Sequence, residues 1–250
     1  MIGIILAAGK GSRLGMITKD NHKALLLIKG KPLIEYQIDA FYQAGIHRIF
    51  IITGYKSHLF ESYKEKATLL YNKNWENSNM MQSIMTASDL LNESYSIISY
   101  SDIFYESFAL KALLHQNELS ILYSSYWKEL WERRFKIAID DAETFEIDNS
   151  GYLKDIGEPL DCISNASGQY MGVISLNPKI FSTFQKIFYT LPKDKRDKID
   201  VTSFLKHLLL TKSLNIKTIA YEGSWGEVDI STDLDLYNSN LFEFPGKNKI

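Results

Sequence analysis

The segment IILAAGKGSRLG, residues 4–15, joins a short apolar run to a turn that is rich in glycine and cations. Gly9 and Gly11 follow directly on the apolar run, where a tight turn would direct backbone N–H groups at an anion. Arg13 lies in the same turn, and Lys23 follows ten residues later. Two cations beside such a turn could neutralise a triphosphate while charge moves during transfer. These residue types therefore indicate phosphate chemistry.

The spacing within this segment excludes two common phosphate loops. A dinucleotide-binding fingerprint needs glycine three residues after the second glycine of the turn, and Leu14 stands there. A P-loop ends in Gly-Lys-Ser/Thr, whereas the order here is Gly-Lys-Gly-Ser. The glycine turn could equally be structural, and a solvated loop is the favoured interpretation of each cation when it is taken alone, so the choice depends on the rest of the chain.

Carboxylates at two further places suit a magnesium ion, which would offset the charge of two phosphates brought together. Asp102 ends an apolar run, residues 94–102, at the edge where α/β sheets place ligands. Glu227 and Asp229 lie two residues apart, so both would point to one face of a strand. We expect Asp102 and Asp229 to bind Mg²⁺, although ordinary turn carboxylates are the alternative for each. Other acids are interpreted as a turn or a helix start: Asp140, Asp141, Asp233 and Asp235.

Strands and helices alternate through the first half of the chain, as a doubly wound α/β sheet requires. Apolar runs at residues 1–8, 48–55 and 94–102 predict strands that are buried on both faces. Helical apolar spacing begins at Pro32, with Gly45 as a C-cap, and recurs over residues 79–91.

The second half contains shorter alternating patterns, which are typical of antiparallel strands. Residues 136–141 and 145–158 show this alternation, with a turn at 149–151. Further strands are predicted at 168–178 and 215–223, and helices at 178–189, 201–212 and 231–242. We therefore predict one α/β domain over residues 1–240, with a mostly parallel Rossmann-like sheet, a smaller antiparallel extension and a tail at 241–250.

Composition argues against several classes of partner. The chain has 250 residues and a net charge of −2, which gives no reason to expect nucleic acid or an anionic membrane. The single cysteine, Cys162, excludes an intrachain disulfide framework and a Cys-based zinc cluster, and the five histidines lack ligand spacing. No apolar run is long enough to span a membrane, and the N-terminus does not resemble a signal peptide. We expect a cytoplasmic protein.

The opening segment and KALLLIKGKPLIEY, residues 23–36, resemble the signature of nucleotidyltransferases that join nucleoside triphosphates to small phosphorylated metabolites. The family pattern is L-A-A-G-x-G-S/T-R-L/M, then P-K-x-L, then G-K/R-P-L/M/I. It is matched at all but one position, where His22 replaces proline. The resemblance extends to about residue 237. The chain lacks the hexapeptide-repeat extension of many sugar nucleotidyltransferases and is similar to the phosphocholine cytidylyltransferase branch, including enzymes of surface-polysaccharide modification.

The resemblance implies transfer of CMP from CTP with Mg²⁺ as cofactor and pyrophosphate as leaving group. It implies that Lys23 and Arg13 stabilise the transition state, while residues 1–125 mainly bind nucleotide and residues 126–240 mainly bind the acceptor. Asn79 could also be merely the N-cap of its helix. The implied nucleotide-binding residues are Leu6, Ala7, Ala8, Gly9, Lys10, Gly11, Ser12, Gly54, Asn79, Ser83 and Ser101.

Aromatic residues of the second half suit an acceptor with a cationic group, such as phosphocholine or phosphoglutamine, since cation–π attraction contributes ~0.5–2 kcal/mol. The candidates for the acceptor site are Trp127, Tyr170, Trp225 and Glu227. Core packing is the alternative for these aromatics. Residues 126–135 form either an amphipathic helix or a lid, with Arg133, Arg134 or Lys136 meeting the acceptor phosphate.

Two other functions stay open. A sugar-1-phosphate uridylyl- or thymidylyltransferase would perform the same reaction on different substrates. A non-catalytic nucleotide-binding regulator would have the same fold, but the presence of Lys23, Asp102 and Asp229 argues against it. We expect CTP and a small phosphorylated acceptor as partners and leave a homodimer open.

Overall fold

The structure is a computed structural model that describes residues 1–240 and Phe242. The predicted tail at 241–250 lies outside the described residues, apart from Phe242. The strands are β1 (Ile2–Ala7), β2 (Leu27–Ile28), β3 (Lys31–Pro32), β4 (Ile49–Thr53), β5 (Thr68–Tyr71), β6 (Ser96–Tyr100), β7 (Ile103–Tyr105), β8 (Leu119–Ser124), β9 (Glu143–Ile147), β10 (Leu153–Pro159), β11 (Gln169–Leu176), β12 (Ile216–Tyr221) and β13 (Trp225–Glu227). The α-helices are α1 (Leu33–Gln43), α2 (Met80–Met85), α3 (Ser88–Glu93), α4 (Ser107–Lys111), α5 (Trp127–Arg134), α6 (Pro178–Thr190), α7 (Lys193–Lys198), α8 (Val201–Leu210) and α9 (Ser231–Asn238).

The central sheet has the strand order β12-β8-β11-β6-β1-β4-β5 within the described residues. Strand β11 is antiparallel to both of its neighbours, β6 and β8, and the other pairs of this sheet are parallel. Every residue of β1 is buried, as expected for a strand with helices over both faces of the sheet. The predicted α/β class and mostly parallel Rossmann-like sheet are confirmed.

Two hydrophobic clusters cover the two faces of the sheet. One contains buried side chains of α1, α4 and α5, and the other contains side chains of α2, α3, α6 and α8. Burial of each large apolar side chain contributes roughly 1.5–3 kcal/mol. The helices are thereby fixed against the sheet on both sides, so the loops at its edges start from rigid positions. None of the helices in the described part of the chain is long and apolar enough to cross a membrane.

Local sequence signals define the ends of several elements. Helix α1 starts directly after Pro32 and ends before Gly45, whose φ of 82° is accessible to glycine at little cost. The β9–β10 hairpin turns at residues 149–151, where the Asp148 side chain accepts N–H bonds from Ser150 and Tyr152. Both predictions are confirmed.

Two expected elements differ from the structure. Residues 136–141, predicted as a strand, contain a 3-10 helix over Ala138–Asp141. The Trp131 indole N–H donates to the Asp141 carbonyl at 3.3 Å, a contact that favours the turn and that a short alternating pattern does not reveal. The helix expected over 79–91 is divided into α2 and α3, because Ala87 has the non-helical angles φ −100° and ψ 18°.

A short antiparallel pair, β7 with β13, connects distant parts of the chain. Its register places Ile103 opposite Glu227 and Phe104 opposite Gly226, and the Val228 N–H donates to the Asp102 carbonyl at 2.9 Å. A Cβ at Gly226 would lie 2.3 Å from the Phe104 ring, so the close approach of these strands requires glycine. This pairing brings residues 227–229 beside the loop that follows β6.

Candidate active site

The glycine turn after β1 has a defined conformation. Gly11 has φ 64° and ψ 44°, the left-handed region that favours glycine, and a 3-10 helix over Ser12–Thr18 follows it. The Thr18 hydroxyl donates to the Gly11 carbonyl at 3.2 Å. A Cβ at Gly11 would lie 3.1 Å from the Lys23 Cβ, so the absence of a side chain lets Lys23 lie directly against the turn.

The four residues expected to perform the chemistry lie together. The Lys23 Nζ donates to Asp102 Oδ2 at 2.7 Å and to Asp229 Oδ1 at 2.6 Å. Arg13 Nη2 lies 3.1 Å from the same Asp229 oxygen. The cluster occupies the carboxyl edge of the parallel strands, where α/β folds bind ligands. The structure thus joins the signature turn to both predicted metal carboxylates.

Lys23 is positioned by the residue that departs from the family pattern. His22 is 1% exposed, and its Nδ1 accepts a hydrogen bond from the Ala24 N–H at 3.1 Å. This bond caps the 3-10 helix Lys23–Leu25. Burial lowers the pKa of His22 to about 4, with a smaller effect from the charge of Lys23, so the imidazole is neutral and its Nδ1 can accept. Proline could not supply this side-chain acceptor.

Within the cluster, the pKa values of the carboxylates at 227 and 229 shift in opposite directions. Burial would lower the pKa of Lys23, but Asp102 and Asp229 outweigh it and raise that pKa to about 12. Burial would raise the pKa of Asp229, but a hydrogen bond from Glu227 and the charges of Lys23 and Arg13 keep it well below its usual range. Burial and the adjacent Asp229 charge raise the pKa of Glu227 well above its usual range. Burial therefore favours the protonated form of Glu227 beside ionised Asp229.

An internal ion pair that the sequence did not suggest supports this cluster. Arg134 Nε lies 3.0 Å from Asp233 Oδ1, Arg134 Nη2 lies 3.1 Å from Oδ2, and both side chains are fully buried. Asp233 Oδ2 also accepts the N–H of Asp229 at 2.7 Å, so this pair orients the backbone of a candidate metal ligand. Arg134, one of three candidates for the acceptor phosphate, instead neutralises carboxylates inside the protein. Asp233 lies in the first turn of α9, as the helix-start interpretation requires.

The carboxylates fit a hard divalent cation. Asp102 Oδ1 is buried and has no hydrogen-bond partner, as a ligand oxygen would be before metal binding. One oxygen each of Asp141, Glu227 and Asp229 lies within 4.8 Å of the others, an arrangement that could bind a metal ion. Asp141 was interpreted as a turn residue, and no motif would have singled it out, because its proximity arises from the 3-10 helix after α5.

The other predicted nucleotide residues lie around the ends of β1, β4 and β6. A Cβ at Gly54 would lie 2.7 Å from the Ala8 carbonyl, so the two strand ends approach closely. Asn79 Oδ1 accepts the Met80 N–H and Nδ2 donates to the Lys198 carbonyl, which makes it a helix cap. Ser83 is buried, and its hydroxyl accepts from Asn72. On the turn, Lys10 and Ser12 are exposed, whereas Leu6, Ala7, Ala8 and Ser101 are buried.

A cavity of about 170 Å³ adjoins the cluster. Tyr170 and Glu227 line it, but Trp127 and Trp225 do not and belong to the hydrophobic core, 3% and 2% exposed. Trp131 lines the cavity instead, stacked on Trp225 at 5.6 Å between ring centroids. Trp127 and Trp131 both lie on the buried face of α5, and the sequence did not distinguish between them.

Comparisons with known proteins agree with this geometry. Residues 3–167 match the family model of the MobA-like NTP transferase domain. The chain is 31% identical over 251 residues to the CTP:phosphoglutamine cytidylyltransferase of Campylobacter jejuni, covering 94% of this chain and 98% of that one. A choline-phosphate cytidylyltransferase of Haemophilus influenzae is 43% identical over 99 residues, 39% of this chain and 42% of that one.

Among solved structures, the CTP:phosphocholine cytidylyltransferase of Streptococcus pneumoniae has a similar fold. Its TM-score is 0.72 at 23% identity, and the match covers 95% of this chain and 97% of that chain. The resemblance in the signature turn is therefore confirmed by the family match and by the fold. The chain belongs to the MobA-like NTP transferase family and is a nucleotidyltransferase.

Proposed function

We propose that this protein transfers CMP from CTP to a small phosphorylated acceptor and releases pyrophosphate. The observation that carries the proposal is the contact of Lys23 and Arg13 with Asp102 and Asp229 directly beside the glycine turn. The choice of CTP is supported by the C. jejuni relative, which is named for CTP and phosphoglutamine. Phosphoglutamine and phosphocholine define the class of acceptor.

The reaction needs positioning and charge neutralisation rather than a protein base. An oxygen of the acceptor phosphate is already anionic, so it attacks the α-phosphorus in line while pyrophosphate departs. Lys23 and Arg13 stabilise the negative charge on the transferring and leaving phosphates. Backbone N–H groups of the turn at Gly9–Gly11 bind the outer phosphates, as glycine-rich turns at strand ends do.

Asp102 and Asp229 would bind a magnesium ion, with the unpartnered Asp102 Oδ1 as one ligand atom. The ion, when bound, supplies charge stabilisation to the phosphates. Lys23 contacts both carboxylates, so binding of the ion requires its Nζ to exchange these contacts for phosphate oxygens. The lysine thus connects metal binding to nucleotide binding.

The test is a pyrophosphate-release assay with CTP, UTP, dTTP and ATP, each combined with phosphocholine, phosphoglutamine and glucose 1-phosphate. We expect release with CTP and one of the first two acceptors. A preference for UTP or dTTP with the sugar phosphate would overturn the proposal in favour of a sugar nucleotidyltransferase. No release with any combination would favour a nucleotide-binding regulator.

The cellular location and the biological role of this reaction stay predictions. CTP as substrate is compatible with a cytoplasmic enzyme, and the similarity to cytidylyltransferases of small phosphorylated metabolites is compatible with surface-polysaccharide modification. The homodimer and the division into nucleotide and acceptor halves are predictions of the same standing.

A further inference from the structure

The cavity beside the reaction centre is lined by residues of that centre and by residues outside it. Arg13 and Asp229 belong to the centre, and Glu143, Gln169 and Tyr170, here called the far wall, lie outside it. An acceptor whose phosphate reaches Arg13 must therefore place its other end among the side chains of the far wall. The chemistry of that wall determines which acceptor fits.

The Glu143 carboxylate on the far wall forms no ion pair within the described residues. In the described part of the chain, no lysine or arginine forms an ion pair with it, and the nearby Lys206 pairs with Asp155 and Glu158 instead. The Glu143 side chain is exposed at the cavity, and Asp141 and Asp200 are its acidic neighbours. A carboxylate with acidic neighbours attracts a cation.

The position of Glu143 is built into the fold. Gln169 is 6% exposed, its Nε2 donates to the Glu143 carbonyl at 2.6 Å, and its Oε1 accepts the Glu143 N–H at 3.5 Å. This two-way contact fixes the start of β9 against β11. The glutamate is thus presented to the cavity from a rigid backbone rather than from a free loop.

Two hydroxyl groups at the cavity supply a second, independent observation. The hydroxyl oxygens of Tyr100 and Tyr170 are both buried and interact with each other, but among the described residues neither forms a hydrogen bond of ordinary geometry. Gly172, at φ 74°, lies so close to Tyr100 that a Cβ would come 2.6 Å from its ring, which keeps that ring in place. Buried polar atoms without partners are uncommon, and at a cavity they indicate a ligand that completes them.

Resting on the proposed function, we propose that this cavity binds a primary ammonium group of the phosphorylated acceptor, with the Glu143 carboxylate as its counter-ion. A primary ammonium has three N–H donors, and the cavity offers a carboxylate and hydroxyl oxygens as acceptors. Tyr170 accepts one of these bonds. The acceptor therefore belongs to the amino-bearing phosphates.

A quaternary ammonium group fits this wall less well. It donates no hydrogen bond and is recognised through open aromatic faces. Trp131 is stacked on Trp225, and the Arg134 guanidinium lies 4.8 Å from its ring centroid, so its π-surface is already in use. A trimethylated group would also leave the carboxylate and hydroxyls without hydrogen bonds, which lowers affinity.

The test compares four acceptors in the pyrophosphate-release assay with CTP: phosphoethanolamine, phosphoglutamine, phosphocholine and propyl phosphate. For the wild type we expect kcat/KM to be at least about 10-fold higher with the better of the two primary amines than with phosphocholine. Glu143→Gln should lower kcat/KM for that amine by about 10- to 100-fold, mainly through KM. The KM for CTP and the rate with propyl phosphate should not change.

Glu146→Gln is the matched control, because Glu146 lies on the same strand, is exposed and pairs with Lys154. It should leave all four rates unchanged. A wild-type preference for phosphocholine, or an equal loss with every acceptor in Glu143→Gln, would overturn the ammonium site while leaving the CMP transfer intact. Absence of pyrophosphate release with every acceptor would instead reject the transfer reaction itself, and the ammonium site with it.

Discussion

The two sides of the candidate site differ in how their charges are compensated. On the nucleotide side, Lys23 and Arg13 lie within 3.1 Å of Asp102 or Asp229, so cations and anions neutralise each other before any ligand binds. On the proposed acceptor side, desolvation raises the pKa values of Asp141 and Glu143, nearby arginine charges offset this only in part, and neither carboxylate forms an ion pair among the described residues. The charges of the nucleotide side are therefore compensated without a ligand. The second side gains most from a cationic ligand.

The largest expected effect is a loss of catalytic rate on the nucleotide side, where the charges are compensated. Lys23→Ala should lower the rate of pyrophosphate release by about 10³-fold, because it removes a donor that stabilises the transferring phosphate. Lys19→Ala, an exposed lysine at the end of the same turn, is the control and should retain normal activity. Steady-state kinetics with CTP would measure both. Near-normal turnover of Lys23→Ala would remove this lysine from the mechanism.

The buried ion pair behind the site should carry stability. Arg134→Ala leaves the Asp233 carboxylate buried and unpaired, which costs about 3–5 kcal/mol. For a chain of this size we expect the thermal midpoint to fall by about 6–20 °C in calorimetry. Lys128→Ala, an exposed helix position paired with Glu132, should change the midpoint by less than about 2 °C. Equal midpoints for the two variants would contradict the structural role of Arg134.

Binding of a divalent ion tests whether Lys23 competes with the metal for its two carboxylates. Its Nζ contacts both candidate ligands, so it competes with a metal ion for them. In the absence of nucleotide, Lys23→Met should bind Mn²⁺ at least about 10-fold more tightly than the wild type, as measured by calorimetry. Asp102→Asn should weaken Mn²⁺ binding. Tighter binding by the wild type than by Lys23→Met would exclude competition between the lysine and the ion.

A smaller effect concerns the cap that positions Lys23. His22→Ala should lower the free energy of unfolding by about 1 kcal/mol, and His22→Asn should restore part of it, because an amide oxygen can also cap. The folded pKa of His22, about 4, lies below its ordinary 6.5. The unfolded chain therefore binds more protons between these values, and the contribution of His22 is lost as pH falls through that window. Denaturant unfolding of the wild type and His22→Ala at pH 7 and pH 5 measures this difference, and an equal pH response in both would contradict it.

The smallest effect concerns Glu143, on the uncompensated side. Its pH dependence of stability should be opposite in sign to that of His22. The folded pKa of Glu143 is raised above 4.5, so the folded state binds more protons there and stability falls as pH rises through that window. Glu143→Gln should therefore raise the thermal midpoint at pH 7, and the gain should disappear near pH 4. A lower midpoint at pH 7 would show that Glu143 is already compensated, and the contrast between the two sides would be lost.

Most of the fold and the reaction centre followed from local patterns. The buried run of β1, the cap at Gly45 and the hairpin turn at 149–151 each depend on neighbouring residues, and all were confirmed. The positions of Arg134 and Asp141 could not be predicted from local patterns. Their positions depend on which face of α5 turns inward and on a 3-10 helix where alternation suggested a strand.

The sequence by itself determined the class of fold and the chemistry of the signature turn, because glycine conformation, strand burial and a nearby lysine are encoded within a few residues of each other. Tertiary structure decided which charges meet. Lys23 reaches Asp102 across 79 positions and Asp229 across 206, and the pairings of β1 with β6 and of β7 with β13 close those distances. It also decided that Glu143 lines the cavity without an ion-pair partner among the described residues, because compensation of charge is a property of the folded surroundings.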